Sequence, residues 1–148
     1  MTKSQVNKIG NKIIDCFKRG NKLLICGNGG SSAEASHFSE ELISYGYPAI
    51  ALNDPAVITA LANDYSYTQV FGKYLEALGK EGDILITLST SGGSENIKYA
   101  ILKARELGIE VIQWPRDQGR TTEEIQNNQL KLIHKVYQEV VSALYNLT

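Results

Sequence analysis

Two short apolar runs in this chain each end in a loop of small polar residues and pass at once into a stretch with helical character. Leu23-Leu24-Ile25 leads through Cys26 and Gly27 into Asn28-Gly29-Gly30-Ser31-Ser32, and residues 84–88 lead into Ser89-Thr90-Ser91-Gly92-Gly93-Ser94. A run of this length, apolar but for Thr87 in the second and bounded by turn residues, reads as a strand buried on both faces. The residues after each loop can open a helix, so each unit is strand, loop, helix. Strands that alternate with helices imply a parallel sheet covered on both faces, with right-handed crossovers. Ligands of such sheets sit outside the carboxyl ends of the strands.

The remaining pattern agrees. Val6, Ile9, Ile13, Ile14 and Phe17 recur at helical spacing, and Gly20 is a stop. Residues 48–52 read as a second strand, and Asp54-Pro55 as a helix start with an N-cap side chain and a proline at the first helical position. A short helix through Ile58 and Leu61 ends near Asn63-Asp64, and another spans about 68–78. Gly82-Asp83 introduces the third strand, residues 94–107 repeat the helical pattern, and 109–114 form a fourth strand. After a polar stretch, Thr121 and Glu124 fit a capping box, and Ile125, Leu132, Ile133, Val136, Val140 and Leu144 carry a long last helix. There is no internal repeat or linker, and 148 residues suit one domain over the whole chain, 1–148.

Composition excludes several function classes. The net charge is −1 with both signs interleaved, which leaves no electrostatic footprint for nucleic acid or an anionic membrane. No stretch approaches 18 apolar residues, and the lysine-dotted N-terminus has no apolar leader, so the expectation is a soluble cytoplasmic protein. Cys16 and Cys26 make no C-x-x-C pair and read as reduced, buried thiols.

Unpaired N–H groups at a helix start point toward an anion, and glycine lets a ligand approach the main chain. The serine loop adds four hydroxyls in six residues, a donor set suited to a phosphate monoester. Neither loop ends in Lys-Ser/Thr or spells G-x-G-x-x-G, which weakens a nucleotide reading. On the helix after the glycine loop His37 and Glu41 are four apart and share a face. The other histidine, His134, follows Gln126 by eight residues on the last helix, so a candidate metal set is His37, Glu41, Gln126 and His134. Eight residues of straight helix separate two Cα atoms by roughly 12 Å along the axis and about 80° around it. Gln126 and His134 can share an ion only by leaning toward each other, or if one serves a neighbouring subunit.

Taken together, the stretches 26–31, His37-Phe38-x-Glu40-Glu41, 48–52, Asn63-Asp64, Gly82-Asp83, Ser89-Thr90-Ser91-Gly92-x-Ser94, Ile125-Gln126 and Ile133-His134 resemble the sugar isomerase (SIS) domain superfamily and, within it, the phosphoheptose isomerase family. They run in order over nearly the whole chain. The resemblance implies a three-layer αβα sandwich. It implies that Asn28, Gly29, Gly30 and Ser31, with Ser89, Thr90, Ser91 and Ser94, bind a phosphosugar, joined by Asn63, Asp64, Glu41 and Gln126. It implies one zinc ion per subunit on His37, Glu41, Gln126 and His134, with Glu41 as catalytic base and His134 as catalytic acid. The implied reaction converts sedoheptulose 7-phosphate to D-glycero-D-manno-heptose 7-phosphate through an enediol, for heptose and surface-glycan synthesis. The implied assembly is a homotetramer with active sites near subunit interfaces. The alternative within the superfamily is a non-catalytic phosphosugar-binding or partner-binding protein, similar to the initiator-associating protein of bacterial replication; the presence of both Glu41 and His134 favours the enzyme.

This chain departs from the family pattern in two places. Only residues 42–47 separate the His37 helix from the second strand, with Tyr45 about where the family often has an arginine. The segment between the fourth strand and Gln126 has no room for a further helix and strand, so the expected sheet is trimmed to about four strands.

Overall fold

The structure, a computed structural model, describes residues 2–116 and 121–145. The polar stretch after Pro115 is thus described only as far as Arg116. Four strands, β1 (Leu23–Gly27), β2 (Ala49–Ala51), β3 (Ile84–Leu88) and β4 (Glu110–Gln113), form one sheet in the order β2-β1-β3-β4. All three pairings are parallel, with Leu23 opposite both Ala49 and Ile84, and Ile84 opposite Glu110.

Six α-helices connect and cover the strands: α1 (Lys3–Lys18), α2 (Gly30–Ile43), α3 (Pro55–Asp64), α4 (Val70–Leu78), α5 (Glu95–Glu106) and α6 (Thr122–Tyr145). The period-2 alternation of the strands sorts their side chains onto two faces. Leu23, Ile25, Ile84, Ile86 and Leu88 face a cluster built with α1, α2 and α6, including Ile13, Phe38, Ile133 and Val136. Leu24, Cys26 and Leu85 face the opposite cluster, with Phe71 and Leu75 of α4 and Ile97 and Ala100 of α5. The result is the expected αβα sandwich on a four-stranded parallel sheet with a long last helix.

Local chemistry sets the boundaries. Thr2 caps α1 in a reciprocal box with Gln5, and Asp54 accepts from Ala56 and Val57 at the start of α3. Thr121 and Glu124 exchange hydrogen bonds before α6, as the sequence predicts. The expected helix over 68–78 is divided instead into a 3₁₀ turn, Tyr67–Gln69, and α4. Strand β2 is three residues, shorter than expected, because as an outer strand it pairs only along residues 23–25 of β1.

At the end of the sheet where the strands begin, Asp83 is 1% exposed and fully engaged. Its carboxylate accepts from Asn21 Nδ2 (2.9 Å), the Lys22 amide (3.1 Å), Lys22 Nζ (2.6 Å) and the Lys80 amide (2.8 Å). Burial pushes its pKa up, but the Lys22 ammonium, Asn21 and the two amides together hold it below the usual carboxylate value. Both cysteines are buried and unpaired: burial pushes the Cys16 thiol up to about 11 and raises Cys26 as well, which keeps both protonated and unreactive. Among the described residues no helix is long and apolar enough to cross a membrane.

Candidate functional site

The chain runs from β1 to β2 on one side of β1, then crosses to place β3 on its other side. The loops leaving β1 and β3 therefore diverge at the carboxyl end of two adjacent central strands, where a crevice forms in such sheets. These are the glycine and serine loops singled out in the sequence.

In the first, Gly29 is the N-cap of α2 with φ of 57°, a backbone conformation that glycine takes without strain. Gly30 follows as the first helical residue, and the Gln126 amide of α6 lies over it so closely that a Cβ there would collide with it. Ser31 is buried and packs against Gly27. The Asn28 side chain is paired with Asn96 of α5 and with Tyr67.

The serine loop is held from behind. Gln129 Nε2 of α6 donates to the Ser89 carbonyl (3.1 Å), and Arg116 Nη1, beyond β4, donates to the Ser91 carbonyl (2.6 Å) and the Thr90 carbonyl (3.4 Å). With its carbonyls drawn toward these donors, the loop is left to present hydroxyls and N–H groups. Two of those N–H groups are satisfied internally, Gly92 by Ser89 Oγ (2.9 Å) and Gly93 by Ser91 Oγ (3.2 Å). Ser94 is the N-cap of α5, yet its side chain makes no capping bond, so the hydroxyl is not spent on its own helix. Lys98 and Arg116 line a hollow of about 270 Å³ beside the loop, with Ser89 and Gly92. A second hollow of similar size lies between Gly29, Ser32, Asn53 and Tyr67 on the other side of the glycine loop. Asn63 and Asp64 end α3, exposed and bonded to each other (3.2 Å), three residues before the 3₁₀ turn that carries Tyr67.

Helices α2 and α6 pack side by side in the same direction. Gln126 meets α2 at Gly30, and His134 meets it at His37, where the two Nε2 atoms are 3.1 Å apart. His37 Nε2 is also 3.5 Å from Glu41 Oε1, and its Nδ1 is 3.5 Å from Glu40 Oε2. His37 and Glu41 keep 36% and 22% of their side-chain surface, so the group is open to a ligand. The structure therefore gathers His37, Glu41 and His134 and sets Gln126 at a different level of α2. The physical reason is the eight-residue rise along a straight helix. Glu40 lies with His37 and Glu41 in a cluster whose donor atoms are all within 4.8 Å of one another.

These residues fit a metal ion. Tetrahedral zinc, with Zn–N and Zn–O bonds of about 2.0–2.1 Å, spreads its ligand atoms about 3.3 Å apart. His37 Nε2 lies 3.1 Å from His134 Nε2 and 3.5 Å from Glu41 Oε1, which brackets that value, and two imidazoles with one carboxylate are a common zinc donor set. The group whose donor atoms all lie within 4.8 Å of one another is His37, Glu40 and Glu41, so His134 would have to lean toward the carboxylates to complete the set.

Between the two levels of the α2–α6 seam, Glu34 carries a buried Oε2 with no hydrogen-bond partner, and burial pushes its pKa up to about 7. Gln129 Oε1 is likewise buried and unpartnered. The sequence reading passed over Glu34, Asn96, Arg116 and Gln129. The one signal for Asn96 and Gln129 is a polar residue on the inward face of an amphipathic helix next to a predicted loop.

A family model described as SIS domain matches residues 1–113 of this chain, ending with β4 and before α6. The phosphoheptose isomerase of Glaesserella parasuis serovar 5 is 40% identical over 139 residues, covering 90% of this chain and 72% of the relative. The phosphoheptose isomerase of Proteus mirabilis is 50% identical over 113 residues, covering 72% of this chain and 59% of its own length. Among solved structures, the phosphoheptose isomerase of Neisseria gonorrhoeae superposes with a TM-score of 0.90 at 33% identity, covering 95% of this chain and 86% of the other. That of Francisella tularensis gives the same TM-score at 31% identity.

Proposed function

Because the chain belongs to the SIS domain family, and is similar to its phosphoheptose isomerases in sequence and fold, we propose that it is an aldose–ketose isomerase acting on sedoheptulose 7-phosphate. The observation that carries this reading is the meeting of Glu41, His37 and His134 across the α2–α6 seam, in a chain whose two central loops are built to receive an anion. The product would be D-glycero-D-manno-heptose 7-phosphate, made in the cytoplasm for heptose and lipopolysaccharide synthesis.

In this mechanism the phosphate is received by the N–H groups and hydroxyls of the serine loop and the start of α2. Glu41 takes a proton from C1 of the ketose, the electron pair forms the C1–C2 double bond, and the C2 oxygen takes a proton from His134. The enediol then collapses: Glu41 returns its proton to C2, and the C1 hydroxyl gives its proton back to His134, leaving the aldose. The approach of His37 Nε2 to within 3.1 Å of His134 Nε2 sets where the acid stands. His37, Glu41 and His134 would hold a zinc ion, which supplies Lewis-acid polarisation of the reacting oxygens when bound.

The working form is proposed to be a homotetramer. Glu41 stands three turns past Gly30 on α2, about 16 Å along the axis, so the anion loops and the carboxylate of one subunit lie toward opposite ends of that helix. A sugar phosphate held by one subunit's loops can reach a neighbour's carboxylate, and Gln126 is free to serve that shared site.

The test incubates the purified protein with sedoheptulose 7-phosphate and zinc and follows the aldose phosphate by NMR. Turnover that disappears in Glu41→Gln supports the reading. No product from the native protein, or equal product from Glu41→Gln, overturns it.

A further inference from the structure

The side chain of Asn28 stands at the mouth of the crevice, yet it is already occupied. Its Nδ2 donates to Asn96 Oδ1 (2.9 Å), and Asn96 Nδ2 donates back to Asn28 Oδ1 (2.8 Å), closing a ring of two amide hydrogen bonds. Tyr67 Oη donates to the same Asn28 Oδ1 (2.8 Å). An amide oxygen has two lone pairs and an amide nitrogen two hydrogens, so three of the four bonds Asn28 can make are taken. Asn96 is 3% exposed. Its pairing with Asn28 is therefore hard to give up, because the amide it leaves behind has little water to turn to.

The three residues come from three elements. Asn28 follows β1, Asn96 lies in the first turn of α5 two residues after Ser94, and Tyr67 belongs to the 3₁₀ turn after α3. The β1–β3 ladder joins the two loops at their roots, where Gly27 pairs with Leu88, and outside that ladder no main-chain hydrogen bond among the described residues links them. Beyond the roots the amide ring ties them across the crevice. Two loops that must both grip one small anionic ligand lose affinity when their separation fluctuates, since binding must then order them.

We propose that Asn28, Asn96 and Tyr67 form a clamp that fixes the spacing of the two anion-binding loops, so that Asn96 and Tyr67 are positioning residues and the Asn28 side chain is the tie between them. The proposal deepens the isomerase reading and rests on it for the nature of the ligand. Tyr67 also gives the clamp a third anchor on the wall of the hollow beside Asn53.

The experiment is a double-variant cycle with two independent readouts. Asn28→Ala, Asn96→Ala and the pair are each expected to raise KM for sedoheptulose 7-phosphate about 10-fold with kcat lowered less than about threefold, and the double variant is expected to match the singles. Tyr67→Phe, at an exposed side chain that leaves the fold intact, is expected to raise KM about threefold. In the ligand-free protein, Asn96→Ala is expected to speed amide hydrogen exchange at Ser31 and Ala33, and Asn28→Ala to speed it at Gly92 and Gly93, each effect crossing the crevice. Additive effects in the double variant, or a KM effect of Asn28→Ala with Asn96→Ala unchanged, would show that the amide pair does not couple the two loops and overturn the clamp. Exchange confined to the mutated loop would overturn it as well. Absence of turnover in the native protein would sink the isomerase reading alone, because exchange still decides whether the loops are tied.

Discussion

The two ends of the sheet are both polar, and they are finished to different degrees. Where the strands begin, the buried Asp83 carboxylate meets four donors and nothing is left over. Where they end, the loops carry hydroxyls turned on themselves, and the seam beside them holds two buried acceptors, Glu34 Oε2 and Gln129 Oε1, without partners. A saturated polar cluster fixes a structure, while an unsaturated one is a demand for something further. One end of this sheet has spent its polar groups on itself and the other has not.

The sharpest way to break that contrast is Glu41→Gln. It should lower turnover about 10³-fold, equal to about 4 kcal/mol of barrier, and leave the thermal midpoint unchanged; progress curves and a melting scan check both halves. Asp83→Ala should do the reverse. It strips the partner from the buried side of Lys22 and from Asn21 and two amides, at a cost of about 3 kcal/mol in a denaturant titration, with kcat unaltered in whatever remains folded.

Gly30→Ala lies between these. The added Cβ must push the Gln126 amide off the start of α2, and kcat/KM should fall about 10-fold with a stability loss of about 1 kcal/mol. The smallest expected effect is at Glu34. Its folded pKa is raised from 4.5 to about 7, so its favourable contribution is present below pH 4.5 and is lost as pH rises through about 7. Glu34→Gln should therefore match the native protein at pH 5 and exceed it at pH 8, by about 1 kcal/mol once screening of its solvent-facing part is allowed for. Melts at the two pH values test the sign.

Periodicity carried the elements because each is a local pattern. Residues 84–88 and the caps at Thr121 and Asp54 are set by their own neighbours, and the structure keeps them where the sequence puts them. The glycine and serine loops were legible for the same reason. What the sequence did not disclose is which loop residues spend their side chains on one another. Asn28 is 68 residues from Asn96 and 39 from Tyr67, and only the strand order β2-β1-β3-β4 brings them together. The Gln126 and His134 spacing did hint at a difficulty. Its resolution, that the two residues meet α2 at different levels, required knowing that α6 runs alongside α2 in the same direction.

Helix α6 has a further consequence, for how the protein comes into being on the ribosome. All four strands are complete once Gln113 has emerged, but Leu132, Ile133, Val136 and Val140, which cover one face of the sheet, are synthesised after them. The nascent chain must hold an uncovered apolar face for the several seconds that elongation through α6 takes. His134 arrives with that covering helix, so the step that shields the face from aggregation is the same step that brings His134 against His37. Covering the sheet and completing the α2–α6 seam are thereby one event.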